Sequence, residues 1–287
     1  MVRLGLACIW LLHFLPLAIL SRLGATLGTV LYYVAAPRRR VVLLNLQFCF
    51  PDLDESARRK LALAHFRAFA RSVFEHGILW WGSKARVQAL VKVEGLEHWR
   101  NLDGKPVILL APHFIGLDMG GIRLASEYRL NSVYSRTKDE VFDRLLIHGR
   151  TRFGQTTLFA RQDGIRPMVK TLKRGEPFYY LPDMDLGIRD SVFAPFFGKP
   201  AATITGLSRI AQLAGAVPLR DLSAEMAAAP LTVSVADDAH RPAIPVPQPD
   251  RTLVYLFGSL ALGATVRLAP LAFRPRPESL LTPKRGA

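Results

Sequence analysis

VILLAPHFIGLDMGG, residues 107–121, is the stretch whose reading decides the fold. An apolar run ends at Ala111-Pro112, His113 follows, and Asp118 stands five residues further on at the head of an amphipathic segment. The pattern predicts a strand, a tight turn and a helix start, with a His and an Asp held at the turn. A neutral imidazole takes a proton near pH 7, and a carboxylate on its far nitrogen fixes the tautomer and stabilises the imidazolium. On a regular helix, residues five apart point roughly 140° away from each other. His113 and Asp118 therefore meet only if the chain between them is not helical throughout, and Pro112 and Gly116 supply the break. The plainer alternative is a loop His beside a helix-capping Asp; two residues at one spacing do not choose between the two.

Working outward, strands alternate with helices. PVILLA (106–111), NSVYS (131–135), TTLFA (156–160), PFYYLP (177–182) and GAVPL (215–219) read as strands, and VKVEGLEHW (91–99) as a short strand and turn. Helices are expected over 117–128, 140–153, 164–174 and from a Thr203 cap to Ala214. The alternation predicts an α/β fold: a mixed or parallel sheet with helices on both faces, preceded by an N-terminal membrane-anchoring helix. Sites in such sheets gather at the carboxyl ends of strands. His113, Arg136, Arg161 and Asp183 all fall there. Arg136 and Arg161 each read either as a rigid fork of donors for phosphate or as a surface Arg paired with an acid. Asp183 and Asp185, in LPDMDLG, read as a carboxylate pair for a metal or polar substrate, or as turn and cap residues. FAPFFGKPAATITG (193–206) lacks the Gly-x4-Gly-Lys-Ser/Thr spacing of a P-loop; its aromatics suit an acyl-chain wall or core.

Towards the N-terminus, Leu4–Leu20 is an apolar run of nearly the 20 residues that a span needs, and a second apolar run, Leu23–Ala36, follows Ser21-Arg22. Together they predict one long tilted helix, or a span plus an interfacial segment. Arg38-Arg39-Arg40 directly after them predicts that the rest of the chain is cytoplasmic. The apolar region is too long for a cleaved signal peptide. A helix capped by Asp54 or Ser56 and running to Trp81 carries apolar residues at spacings of three and four. Arg58, Arg59, Lys60, Arg67 and Arg71 crowd its other side, which suits a surface-lying helix or a solvated face. Glu75 and His76 near its end have no spacing argument for a role. The net charge of +15, from 38 Lys plus Arg against 23 Asp plus Glu, attracts phosphates or anionic membranes. No ordered basic-aromatic module for nucleic acid is visible. Cys8 and Cys49 form no metal motif or disulfide framework, so no metal is expected.

These residues resemble the lipid A biosynthesis acyltransferases, the late enzymes of lauroyl or myristoyl type. The resemblance rests on His113-x4-Asp118 together with RRRVVLLNLQFCFPDL, ARSVFEHGILWW, VYSRTKDEVFDRLLIHGRTRFG, GIRPMVKTLKRGEPFYYLPDMDLG, VFAPFFGKPAATITG and LAGAVPL, across residues 1–219. It implies an inner-membrane enzyme without a cofactor. The acyl group would move from acyl-acyl carrier protein to a hydroxyl of a lipid A precursor, with His113 as general base and Asp118 holding it. Arg136, Arg161, Asp183 and Asp185 would be the substrate-binding residues. His-x4-Asp alone is shared with glycerophospholipid acyltransferases of lysophosphatidate type, which remain the alternative reading; a non-catalytic basic membrane-binding protein is the third. The domains expected are a membrane segment over 1–37, the acyltransferase domain over 38–219 and an atypical Pro/Ala-rich tail over 220–287. Ten of the twenty prolines lie from Pro218 onward, and no Lys occurs between Lys199 and Lys284. A tail translated out of frame is the expectation.

Overall fold

A computed structural model of the chain describes residues 2–94, 96, 104–111, 113, 115–154, 156–183, 191–216 and 232–235. The first half is helical: α1 Val2–Leu12, α2 Leu17–Val34, α3 Ala36–Cys49, α4 Glu55–Trp81 and α5 Lys84–Leu90. The second half alternates: β1 Val91–Glu94, β2 Ile108–Leu110, α6 Leu117–Ala125, β3 Leu130–Tyr134, α7 Glu140–Thr151, β4 Thr156–Ala160, α8 Arg166–Lys173 and β5 Phe178–Tyr180. A hairpin, β6 Ser191–Phe196 and β7 Lys199–Ile204, leads to α9 Gly206–Ala214, and β8 Thr232–Val235 follows.

Capping chemistry sets many of the boundaries. Asp54 accepts the Ala57 amide at 2.7 Å to start α4, Ser83 accepts from Arg86 at 3.1 Å to start α5, and Asp139 accepts from Val141 and Phe142 to start α7. Each satisfies amides that the first helical turn leaves unpaired. Gly215, at φ 70°, closes α9. The cap expected at Thr203 is not there: Thr203 lies within β7, and the helix starts at Gly206 behind Thr205. The reason is the hairpin, which the sequence pattern hid. Its turn uses positive φ at Phe197 (50°) and Gly198 (69°), conformations that suit a tight hairpin twist. Of the strand expected at 215–219, Gly215 and Ala216 instead end α9, the Ala216 amide donating to the Ala211 carbonyl, and the rest lies outside the described residues, as do the apolar stretch 252–272 and all of the tail except β8. Strand β8 pairs antiparallel with β1, Val91 opposite Val235.

The central sheet is parallel throughout, in the order β2-β5-β3-β4. Its side chains alternate between two covered faces, as a strand's period of two requires. Phe178 and Tyr180 pack with Met168 and Leu172 of α8 and Ile210 of α9. Tyr179 and Leu109 face the other way, towards Leu124 and Ala125 of α6. Helices therefore cover both faces, as expected of an α/β fold.

The N-terminal region breaks at Pro16 instead of forming one long helix. Of the described helices, α2 alone is long and apolar enough to cross a membrane by length and composition, and it is a candidate membrane anchor. It packs on α4 with almost no gap. A Cβ on Gly28 would sit 2.4 Å from the Phe66 carbonyl oxygen and 2.5 Å from Arg67 Cα, and one on Gly24 would sit 2.6 Å from Arg71 Cα. The two glycines, four apart on one face of α2, let the backbones touch. Because the obstructing atoms are backbone, Gly28→Val has nowhere to go. It should destabilise the protein by about 1–3 kcal/mol or more, the usual cost of overpacking, whereas Gly5→Ala, with open space around it, should leave the thermal midpoint in detergent unchanged.

Candidate active site

β2 and β5 are neighbours, with Leu110 opposite Tyr180. His113 stands three residues beyond Leu110 and Asp183 three beyond Tyr180, so parallel pairing in this register carries both to the same edge. They meet there: His113 Nδ1 lies 2.7 Å from Asp183 Oδ1, and the His113 backbone N–H donates to Asp183 Oδ2 at 2.8 Å. Both side chains are 9% exposed, which strengthens the contact by excluding water. With the carboxylate accepting, the ring proton sits on Nδ1 and the lone pair on Nε2.

The expected partner of His113 is elsewhere. Helix α6 begins at Leu117, so Asp118 sits in its first turn and points away from the strand end. Its carboxylate takes Arg150 Nε at 2.9 Å and Nη2 at 2.8 Å, both on Oδ1, and His76 Nε2 at 3.2 Å on Oδ2. Among the described residues no hydrogen bond or ion pair joins Asp118 to His113. Burial opposes ionisation of Asp118, but the Arg150 guanidinium and the His76 ring outweigh it and hold its pKa well below the usual carboxylate range. For His76, burial disfavours the charged form, yet the Asp118 carboxylate and the Ser72 carbonyl raise its pKa overall. Its Nδ1 lies 2.5 Å from the Ser72 carbonyl oxygen. A ring facing an acceptor on each nitrogen is satisfied only when both carry protons. The cluster thus sets one carboxylate between a guanidinium and an imidazole and joins α6, α7 and α4.

Nearby groups lock this arrangement. The Tyr179 hydroxyl donates to the Leu117 carbonyl at 3.0 Å. Arg152 donates to the Leu79 carbonyl at 2.8 Å and to that of Gly82. A cavity of about 30 Å³ between Asp118, Arg150, Ser132 and Tyr179 is too small for an acyl chain. Grooves of about 540 and 600 Å³ lie among the N-terminal helices and α7, and neither is lined by His113 or Asp183.

Arg136 and Arg161 are exposed just beyond β3 and β4, on the sheet edge that also carries His113 and Asp183. Arg161 is close enough to Tyr180 to favour its phenolate electrostatically, against the larger effect of burial, which raises the pKa. Asp185 lies outside the described residues. Among the described residues no group of three or more His, Cys, Asp or Glu side chains is placed to hold a metal ion. His76 and Arg150 were visible in the sequence as members of charged helices, but no spacing linked either to Asp118, 42 and 32 residues away.

The sheet is covered on both faces and carries at its carboxyl edge an imidazole oriented by a carboxylate, an arrangement chemically able to accept a proton. The profile of one protein family, bacterial lipid A biosynthesis acyltransferase, matches residues 1–219. A lipid A biosynthesis lauroyltransferase of Escherichia coli K12 is 33% identical over 216 residues, 74% of this chain and 70% of the relative. A lipid A biosynthesis acyltransferase of Haemophilus influenzae is 36% identical over 219 residues, 75% of this chain and 69% of the relative. A lipid A biosynthesis palmitoleoyltransferase of Escherichia coli K12 is 28% identical over 218 residues, 75% and 71% respectively. The chain belongs to the bacterial lipid A biosynthesis acyltransferase family and is an acyltransferase.

The Asp118 cluster predicts a specific pH dependence of stability. The lowered Asp118 pKa contributes stability that is complete above its unfolded value near pH 4 and is lost on acidification. The raised His76 pKa contributes stability that is complete below about pH 6.5 and is lost as pH rises through the folded value. Both contributions are present near pH 5.5. Asp118→Asn should there lower the unfolding free energy by about 3 kcal/mol, as for breaking a buried ion pair. The gap from wild type should narrow towards pH 9 as His76 loses its proton. Urea denaturation followed by tryptophan fluorescence measures it; a gap of constant size between pH 5.5 and 9 would exclude a charged His76.

Proposed function

We propose that this chain transfers a fatty acyl group from acyl-acyl carrier protein to a hydroxyl of a lipid A precursor at the inner membrane, with the catalytic domain on the cytoplasmic side. The observation that carries the reading is the 2.7 Å contact between His113 Nδ1 and Asp183 Oδ1. It leaves Nε2 as the basic nitrogen. An alcohol ionises far above pH 7, so its attack on a thioester needs a base, and a positioned one is worth about 10² to 10⁴ in rate. His113 Nε2 takes the hydroxyl proton while the oxygen adds to the thioester carbonyl. The tetrahedral intermediate expels the carrier's thiolate, and the imidazolium returns the proton to that sulfur. Asp183 holds the ring and stabilises the imidazolium.

Asp118 is a positioning residue in this scheme. It acts through Arg150 and His76 to hold the start of α6, and so the turn that carries His113. Arg136 and Arg161 grip the phosphates of the acceptor as planar forks, and Asp185 stays a candidate for acceptor hydroxyls. The positive charge of the chain suits both an anionic lipid and an acidic carrier. A glycerophospholipid acyltransferase would use the same base; membership of the lipid A family favours the lipid A acceptor, and a non-catalytic role would leave the buried His113–Asp183 pair without a use.

The test is transfer of labelled acyl from the carrier protein to a lipid A precursor, in detergent. His113→Ala should lose at least about 10²-fold in kcat. Asp183→Asn should lose kcat with little change in acceptor KM, whereas Arg136→Ala and Arg161→Ala should act mainly on acceptor KM. Full activity of His113→Ala would remove the general-base assignment, and transfer to lysophosphatidate in place of the lipid A precursor would favour the alternative acceptor.

A further inference from the structure

We propose that the N-terminal helices enter only one leaflet of the membrane, with α2 lying along the bilayer plane instead of crossing it. The argument starts from the two ends of α2. At its start, the Arg86 guanidinium donates to the Leu15 carbonyl at 2.7 Å and to that of His13. Arg86 belongs to α5, which runs directly into β1. At its end, Tyr32 packs in a cluster with Val42, Leu46 and Phe66 that Phe50 adjoins, and the Phe50 ring meets Phe197 at 5.1 Å in the turn of the β6–β7 hairpin. The α/β domain thus holds both ends of α2. A helix that crossed the bilayer would leave its two ends on opposite sides, some 27 Å apart for 18 residues at the usual rise, and one set of these contacts would have to break.

The flank of α2 points the same way. Its close partner is α4, whose backbone at Phe66 to Arg71 meets Gly28 and Gly24 near the middle of α2. Arg67 donates to Thr29 Oγ1 at 2.8 Å. A spanning α2 would therefore carry Arg67 and Arg71 to the depth of the hydrocarbon core, where guanidinium groups are costly. The outward face is instead a narrow stripe: Ile19, Leu23, Leu27, Val30 and Val34 are all exposed and fall within about 80° of one another at 3.6 residues per turn. Exposed Arg22 and Thr26 border that stripe, and exposed Arg38 and Arg40 follow it. An apolar stripe with a cationic border fits a helix bedded at the level of anionic headgroups. Exposed Leu4, Leu11 and Phe14 of the α1 region and Leu44 and Phe48 of α3 extend the same kind of surface.

The experiment reads topology and not acyl transfer, so it stands apart from the reaction proposed above. The full chain carries a protease-cleavable tag ahead of Met1, with Cys8→Ser and Cys49→Ala removing the native thiols and a single reporter at Lys173→Cys on α8 or Arg38→Cys at the start of α3. Spheroplasts and inverted vesicles are treated with protease and, separately, with a membrane-impermeant maleimide. The tag should be cleaved from the face at which Lys173→Cys and Arg38→Cys are labelled, by at least tenfold over the other face. Cleavage of the tag from the opposite face would overturn the proposal. Moving the tag into the chain at Gly5, which has open space around it, repeats the test should the terminal tag disturb insertion, with the same two outcomes.

Discussion

A carboxylate taken out of water must find partners, and Asp118 finds the Arg150 guanidinium and the His76 ring on two different helices. That requirement holds the molecule together at its centre. Arg150 comes from α7 and His76 from α4, so the first turn of α6 cannot move without pulling both. Around this knot the fit is close. A Cβ on Gly149 would fall 2.1 Å from the Trp80 ring, and Arg152 caps the last carbonyls of α4. Helix α4, which packs against α2, and helix α6, which follows the turn at His113, are thereby one body.

The second constraint is strand order. Parallel strands place all their carboxyl ends on one edge, and only adjacent strands can bring their next residues into hydrogen-bonding range. Because β5 inserts between β2 and β3, the residue three past the end of β5 meets the residue three past the end of β2. Asp183 then grips the His113 ring and backbone with its two oxygens. An orientation fixed at two points leaves the imidazole few alternatives, which is the kind of preorganisation a general base needs.

The chemistry and the surface belong to one arrangement. The substrate class proposed here lives in a membrane, and the described apolar exposure is concentrated in the first 48 residues. Those residues reach the sheet through α4 at the Asp118 cluster and through the contacts at the two ends of α2. A surface bedded in one leaflet and a catalytic edge fixed to it by buried charges would hold His113 at a constant height above the lipid.

Much of this was legible in the chain itself. TTLFA and NSVYS declared strands β4 and β3 through β-branched and aromatic runs, Asp54 stood where a helix needed a cap, and His113 after VILLAP marked a strand's carboxyl end. Those signals are local, and local physics decides them. The hairpin at 191–204 was not legible, because its turn is built at Phe197-Gly198 without the usual Asn-Gly or Asp-Gly pair. Nor was the partner of His113. Proximity along the chain favoured Asp118, five residues away, but an α-helix beginning at Leu117 turns that side chain towards α4 and α7, while strand pairing delivers Asp183 from 70 residues downstream. The sequence by itself determined most of the local elements and the family, and it placed His113 at a strand's carboxyl end. Which carboxylate contacts His113 was decided only by tertiary structure, because contact across a parallel sheet depends on strand order, which no local pattern encodes.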